Sequence, residues 1–283
     1  VYVGGAFTTV NGASHRKLVQ LSVADGSVVA GFTPPVLDGK VNDLVLDDNA
    51  LFAAGAFTTV GSVNRPALAS FNATTGALTT RLNLAVSGVN NGGITAVSKI
   101  ALTPDGDRLV AIGNFAEVAG QPRGQIALID TSTTQATVAP WATDRFPNVC
   151  AAGFNTYLRD LDVSPDGDYF IVSTTGAYRG TSTLCDSISR WETSGATGDE
   201  QPTWVDYTGG DTTYAVTATG VAVYAGGHFR WLNNPYAANE AGDGAVPQAG
   251  IAALDPKTGL PFTWDAYRAR GVGVFDMLAT GGG

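Results

Sequence analysis

A six-residue phrase that recurs along the chain constrains the fold more than any other feature. Residues 5–10 read Gly-Ala-Phe-Thr-Thr-Val, and residues 55–60 repeat them without a change. Looser copies are centred on Phe115 and Phe229, and since these are 114 residues apart, we expect a diverged copy between them and place it at 169–173. Repetition at this interval is typical of folds that use one supersecondary unit many times.

Each repeat unit begins with a stretch in which apolar and polar residues alternate. The five stretches are 41–46, 97–103, 158–164, 213–219 and 274–280. Alternation with a period of two indicates β-strands, and Pro-Asp-Gly-Asp after the second and third stretches marks tight turns. Short strands in units of 50 to 60 residues predict four-stranded antiparallel sheets repeated around an axis, which is an all-β β-propeller. A β-helix is the alternative, although its repeat is usually shorter.

The unit boundaries predict a single propeller domain, 1–283, with five visible blade units. These are 1–36 together with 274–283, 37–89, 90–145, 146–208 and 209–270. Either the last strand completes the first blade and closes a five-bladed ring, or the chain is an arc of a six- or seven-bladed ring. The missing initiator Met and the closing run of three glycines favour the arc, with the chain truncated at both ends.

The opening residues also resemble a known family. Val1 to Gly12 read Val-Tyr-Val-Gly-Gly-Ala-Phe-Thr-Thr-Val-Asn-Gly, followed by Asp25-Gly26-Ser27 and by Phe32-x-Pro34. This phrase resembles the delta-60 repeat β-propellers, and the resemblance covers nearly the whole chain, least well at 158–208. It implies a secreted or surface-attached bacterial protein, actinomycete-like in source, of a family that often occurs beside carbohydrate-binding or adhesion modules. Most members have no assigned activity.

Composition and charge exclude several classes of function. The net charge of −9 argues against a nucleic-acid partner, and no run of about 20 apolar residues offers a membrane span. Only two His and two Cys occur, which excludes zinc fingers and HExxH metalloproteases. Walker, GxSxG and GxGxxG motifs are also missing from the sequence. We expect no cofactor; a copper-radical site is disfavoured because His is so scarce.

The two cysteines are predicted to form a disulfide. In the propeller register, Cys150 falls in a loop between blades and Cys185 in a loop between second and third strands, which lie on the same face. A bond between them would stabilise the fold by about 3–4 kcal/mol in the chain-entropy description. It would also indicate an oxidising compartment. Two buried free thiols are the alternative.

One loop stands out as a candidate binding site. Phe229 and Gln248 are 19 residues apart, whereas the equivalent step in three other copies takes 8 or 9 residues. Long loops carry function more often than short ones, and an aromatic ring beside an amide suits a sugar. The alternative is that Trp231 packs over a blade edge. The candidate ligand-binding residues in and around this loop are Trp231, Asn233, Tyr236, His228, Arg230, Tyr157 and Arg159.

Two carboxylates are weaker candidates for catalysis. Asp160 and Asp211 are expected to precede successive first strands, which would line a central channel. Such a pair could act as acid and base. Aspartates at these positions more often cap turns or bond the neighbouring blade, so we lean towards a protein that is not an enzyme.

Three functions follow as hypotheses. The leading one is an extracellular, non-catalytic binding or scaffolding propeller, secreted or at the cell surface, whose inter-blade loop face docks a glycan or a surface protein. The second is a secreted carbohydrate-active hydrolase or lyase that uses loop carboxylates. The third is a structural subunit of a larger extracellular assembly.

Overall fold

The structure, a computed structural model, describes residues 1–146, 150–195, 198–266 and 269–280. These residues form strands and turns, and none of them belongs to a helix that could cross a membrane. The chain forms two compact units. The first consists of Val1–Leu102 and Gly106–Ala139, and the second of Thr103–Asp105 and the chain from Pro140 onwards.

The first unit contains three main sheets, two small two-stranded hairpins and one small three-stranded sheet. Its strands are β1 Tyr2–Gly4, β2 Thr9–Val10, β3 Ala13–Ser14, β4 Leu18–Gln20, β5 Val41–Asp47, β6 Ala50–Gly55, β7 Thr59–Val60, β8 Val63–Asn64, β9 Leu68–Asn72, β10 Val86–Ser87, β11 Ala96–Leu102, β12 Arg108–Asn114, β13 Glu117–Val118, β14 Gln121–Pro122, β15 Ile126–Asp130 and β16 Thr137–Val138. The main sheets have the orders β1-β4, β5-β6-β9 and β11-β12-β15-β16, and all neighbours are antiparallel.

The described part of the second unit forms two main sheets and one hairpin. Its strands are β17 Leu158–Val163, β18 Tyr169–Thr174, β19 Ser187–Glu192, β20 Trp204–Tyr207, β21 Thr213–Ala218, β22 Val223–Gly227, β23 Trp231–Leu232, β24 Val246–Pro247 and β25 Ile251–Leu254. The main sheets have the orders β17-β18-β19-β20 and β21-β22-β25. The fold class is the predicted one, an all-β β-propeller, and the number of blades stays a prediction.

Among the described residues, two of the main sheets have a complete fourth strand. In the others, a single bridge marks the fourth position: Leu21 with Val28, Phe71 with Leu78, and Leu254 with Pro261. A turn that contains Asp-Gly or Thr-Gly lies between the two bridged residues. After the turn, the chain returns to the third strand and forms a single bridge pair with it. The outer edges of these sheets are therefore short, a common way of limiting unwanted edge pairing.

The first strand of each main sheet with three or four strands carries a β-bulge at the same place. The pairing register shifts at the second residue of the repeated strand pattern, at Asn42, Ser98, Arg159 and Tyr214. A bulge leaves one residue without a ladder partner and redirects its side chain. The four bulge residues differ in chemistry although the backbone repeats, so this position can vary in function without a change of fold.

The repeated phrase encodes the end of a second strand, a buried ring and a small hairpin. Phe57, Phe115 and Phe229 are at most 1% exposed, and each is followed by a two-stranded hairpin. Three of the hairpins turn over two residues. Asn11 and Gly12, with φ of 50° and 78°, have the left-handed conformation that such turns require. In the fourth hairpin, β23-β24, residues 233–245 replace the two-residue turn.

The copy expected at 169–173 is not a copy of this phrase. Leu158 pairs with Thr174 as Val41 pairs with Gly55, so residues 169–173 lie within the second strand β18 itself. Two residues after Thr174, where Phe57 follows Gly55, the chain has Gly176. Residues 175–186 form a loop in place of the hairpin, and this loop contains Cys185.

Each unit has its own buried core, and carboxylates tie neighbouring sheets within it. In the second unit, the rings of Trp141, Phe170 and Trp191 are buried, with centroids 5.5 to 5.6 Å apart. In the first unit, Asp43 accepts a hydrogen bond from the Ile100 amide at 2.9 Å. In the second, Asp160 accepts one from the Val216 amide at the same distance. These paired positions explain why the alternating first strands repeat so regularly.

The prediction of a strand at 274–280 was wrong. The Val274 amide does donate to the Gly227 carbonyl at 3.1 Å, much as the Val41 amide of β5 donates to Gly5 at 3.2 Å. The segment thus begins with the same kind of hydrogen bond that the first strand β5 makes at its start. Among the described residues, however, no second strand lies beside it, so no ladder of hydrogen bonds forms. Residues 281–283, also part of the predicted boundary, lie outside the described residues.

Candidate binding face of the second unit

A disulfide fixes the loop that replaces the missing hairpin. Cys150 and Cys185 are bonded, which confirms the predicted pairing. Gly176 faces the bond with φ of 128°, and a Cβ there would lie 2.4 Å from the Cβ of Cys150, so only glycine fits. Tyr157 is 3% exposed, and its hydroxyl donates to the Cys150 carbonyl at 3.4 Å. Tyr157 therefore supports the disulfide from inside.

The long loop at 233–245 is held by its own amide side chains. The Asn233 amide nitrogen donates to the Gly244 carbonyl at 2.8 Å, and its backbone amide donates to Asp206 at 2.9 Å. Asn234, which is fully buried, donates to the Glu240 carbonyl at 2.9 Å. Trp231 is half-buried under the guanidinium of Arg230, 4.4 Å from its ring. The loop is therefore ordered, and its Asn233 and Asn234 side chains are used in hydrogen bonds within the protein.

Three loops of the second unit meet in one surface, which we call the loop face: residues 175–186, 208–212 and 233–245. The hydroxyl of Tyr178 donates to the Pro235 carbonyl. The Asn239 amide donates to the Gly209 carbonyl at 2.8 Å, and Thr208 donates to the Asp186 carbonyl at 3.1 Å. Tyr236 projects from this surface with 76% of its area exposed.

Asp211 lies beside two other predicted residues, Arg230 and His228, and one that was not predicted, Arg270. Its carboxylate is 3% exposed and accepts from Arg230 Nε at 2.7 Å and from Arg270 Nη2 at 2.8 Å. His228 Nδ1 lies 3.9 Å from Asp211 and accepts from Arg270 at 3.2 Å, which requires that nitrogen to be unprotonated. Arg270 was missed because it lies beyond the last repeat and has no counterpart in other units.

The two catalytic candidates are both committed to structural bonds. Asp211 accepts hydrogen bonds from two guanidinium groups, so its oxygens are occupied by structural contacts. Asp160 is 4% exposed and binds the Val216 amide between sheets. No group of three or more His, Cys, Asp or Glu that could hold a metal ion occurs in the described ranges. This arrangement offers no poised acid and base at the predicted pair.

Two further aspartates are buried and have raised pKa values: Asp186 in the loop face, and Asp206 of β20, which bonds the Asn233 amide. Burial, together with the charge of Asp211, raises the pKa of Asp186 to about 7. Its oxygens accept no hydrogen bond of good geometry from the described residues, although the Thr212 hydroxyl and two backbone amides lie close enough to lower the pKa somewhat. Burial raises the pKa of Asp206 to about 8. The protein interior behind this face therefore carries less negative charge than the number of its aspartates suggests.

Arg159 is half-buried near Tyr214 and Asp186, and its guanidinium makes no hydrogen bond with a described residue. It is the bulge residue of β17, and its guanidinium lies over the Phe154 ring at 5.2 Å. Burial lowers the pKa of Arg159, while Tyr214 and Asp186 oppose that shift. Tyr214, the bulge residue of β21, was not predicted, because it lies within a strand and no loop signal marks it. The register shift is visible only in the paired sheet.

A second concave region lies away from these residues in the same unit. An open groove of about 510 Å³ is lined by Thr217, Val221, Tyr224, Met277 and Leu278. It runs beside the turn between β21 and β22, at the opposite strand ends from the loop face. None of the predicted site residues lines it.

Comparisons with known proteins support the fold and leave the ligand open. A family model described as "Domain of unknown function (DUF5122) beta-propeller" matches residues 1–32. No curated protein sequence matches the chain. These findings support a β-propeller family, and membership of the delta-60 repeat family stays a prediction.

Two solved structures are similar over most of the chain. One is titled "Structure of Dos1 propeller", with 12% identity, a TM-score of 0.50, and coverage of 92% of this chain and 55% of that one. The other is hydrazine synthase of Kuenenia stuttgartiensis, with 14% identity, a TM-score of 0.45, and coverage of 76% and 57%. The chain thus spans less than two thirds of either. At this identity the first similarity shows the fold alone.

Proposed function

We propose that the protein is an extracellular, non-catalytic binding propeller, secreted or at the cell surface, whose loop face docks a glycan. The observation that carries the proposal is the replacement of a two-residue turn by the ordered loop 233–245. This loop presents Tyr236 to solvent beside loops that a disulfide holds in place. Rigid loops on a repetitive scaffold are where propellers and other β-folds most often bind.

The disulfide supports export from the cytoplasm, because such bonds persist mainly in oxidising compartments. The exposed tyrosine supports a glycan in preference to the alternative, a surface protein. Sugar C–H groups stack on an aromatic ring, and neighbouring arginines can bond hydroxyl oxygens. An isolated ring of this kind makes a smaller apolar patch than a stable protein interface needs.

A glycan panel with one substitution tests this proposal. We expect the parent protein to bind a subset of immobilised oligosaccharides. Tyr236→Ala should weaken that binding by about tenfold, because loss of an aromatic stacking contact costs about 1–1.5 kcal/mol. The melting temperature should not change, since the ring is exposed. Phe262→Ala, at an exposed ring on the outer edge of the same unit, is the matched control and should bind like the parent.

Two results would contradict the proposal. If no oligosaccharide of the panel binds, the glycan function is wrong and a surface protein becomes the better hypothesis. If glycans bind but Tyr236→Ala binds as well as Phe262→Ala, the binding surface lies elsewhere.

A further inference from the structure

The four bulge residues differ in whether their side chains are already used. In the first unit, the Asn42 amide donates to the Val97 carbonyl at 2.8 Å, and the Ser98 hydroxyl donates to the Ile112 carbonyl at 3.0 Å. In the second unit, the Arg159 guanidinium and the Tyr214 hydroxyl make no hydrogen bond with any described residue, and the Arg159 Nε is buried. The repeat therefore satisfies its bulge side chains in one unit and leaves two donors unused in the other.

These two donors are held in place by rings rather than by hydrogen bonds. The Tyr214 ring stacks on Phe275, with centroids 4.6 Å apart, and meets the His228 ring edge-on at 5.4 Å. The Arg159 guanidinium lies against Phe154. β17 and β21 are first strands of neighbouring sheets, and both residues occupy the same bulge position. The geometry fixes the side chains while leaving their polar ends available.

The surrounding charges leave the region near Arg159 positive. Asp211 is matched by Arg230 and Arg270, so it cannot neutralise a third guanidinium. Asp186 is buried, does not reach Arg159 as an ion pair, and tends to keep its proton. An unpaired guanidinium that has lost part of its water has a strong preference for a carboxylate, which its planar fork binds through two hydrogen bonds.

We propose that Arg159 and Tyr214 form a subsite for the carboxylate of an acidic sugar. This inference rests on the proposed glycan-binding function and names the substrate class. Arg159 supplies the two-pronged contact, the Tyr214 hydroxyl donates a further hydrogen bond, and the sugar continues towards Tyr236. The net charge of −9 restricts the ligand to one or a few carboxylates, because a dense polyanion would be repelled by the rest of the protein.

The test compares matched sugars that differ only at the carboxylate. The probes are a trimer of galacturonic acid, its methyl ester and the neutral galactose trimer, measured by calorimetric titration. We expect the acid to bind at least tenfold more tightly than the ester or the neutral trimer. Arg159→Gln should bring the acid to the level of the ester, Arg159→Lys should retain part of the preference, and Tyr214→Phe should lose about threefold.

Controls separate this subsite from general charge and from misfolding. Arg16→Gln removes one exposed positive charge in the first unit and should leave the acid preference unchanged. If Arg159→Gln has a lower melting temperature than the parent, the subsite is tested with Tyr214→Phe instead. That change removes one hydroxyl group and no packing contact.

Each outcome decides a different claim. Equal binding of acid, ester and neutral trimer would overturn the carboxylate subsite and leave the glycan function standing. An acid preference that survives Arg159→Gln would place the carboxylate elsewhere and also overturn it. If none of the three sugars binds while sulfated or other glycans of the panel do, the carboxylate is wrong; if no glycan binds at all, both proposals fail.

Discussion

At the scale of single residues, four aspartates of this chain have four different roles. Asp38 accepts hydrogen bonds from Thr58 and Thr59; burial opposes them, but the bonds bring its pKa down to about 2. Asp160 ties two sheets together through a backbone amide. Asp211 is paired with two arginines, and burial raises the pKa of Asp186 to about 7. The surroundings decide the role, so an aspartate in the sequence is weak evidence for catalysis.

The raised pKa of Asp186 predicts that stability falls as pH rises. The native state binds the proton more tightly than the unfolded chain, whose aspartates titrate near 3.9. The benefit is therefore complete below about pH 4 and is lost as pH rises towards 7. Asp206 acts in the same direction up to about pH 8. We expect the melting temperature to decrease between pH 5 and pH 8.

Asp186→Asn should reduce the fall in stability between pH 5 and pH 8. The variant and the parent should have similar stability near pH 5, and the variant should become more stable by about 2 kcal/mol at pH 8. Thermal unfolding followed across this range measures the difference. Asp243→Asn, at an exposed position of the same unit, should run parallel to the parent. A parallel curve for Asp186→Asn would show that Asp186 is already ionised at pH 5.

Sequence reasoning found the charged residues of the loop face but not how they pair. His228, Arg230 and Asp211 were predicted separately; in the structure Arg230 and Arg270 both bond Asp211, and Arg270 also bonds His228. Arg159 was predicted from a loop position, yet its importance comes from a bulge shared with Tyr214. Bulges and ion pairs depend on which strands meet across a sheet, and no local pattern records that.

At the scale of elements, the small hairpin after the second strand is the part that varies most. It has two-residue turns in three copies, the loop 233–245 in a fourth, and is replaced by the disulfide loop 175–186 in β18's sheet. Both departures lie in the second unit, and the Tyr178 hydroxyl joins them through Pro235. Variation on a constant sheet is what a binding surface requires.

Removing the disulfide should therefore affect stability and binding together. The double variant Cys150→Ser with Cys185→Ser should lose about 2–4 kcal/mol of stability. Glycan binding should weaken as well, because loop 175–186 supports loop 233–245. Thermal unfolding and the glycan panel measure the two effects, and reduction of the parent protein should reproduce both. Unchanged stability and binding in the double variant would show that the bond is incidental to this face.

The strands were predictable where alternation was long and a partner strand existed. Four of the five predicted first strands match β5, β11, β17 and β21 to within one residue at their starts. The hairpins were missed because two-residue strands carry no periodic signal. The segment 274–280 has the alternation but no described neighbour to pair with. A strand depends on its partner as much as on its own sequence.

At the scale of the whole molecule, the propeller explains the repeats but does not select a ligand. Regular positions, such as the buried phenylalanines and the inter-sheet aspartates, serve the scaffold. The departures from the repeat, at the disulfide, the long loop and the two unused bulge side chains, gather at one face of the second unit. Function in repetitive folds is carried by such departures rather than by the fold.

Hydrogen–deuterium exchange with and without the galacturonic acid trimer tests this account most directly. Bound sugar should slow exchange in 175–186, 208–214 and 228–245, with little change in the first unit. The groove lined by Val221, Tyr224 and Met277 should keep its exchange rates. Protection confined to that groove or to the first unit, with none in the three loops, would contradict the assignment of the loop face as the binding surface.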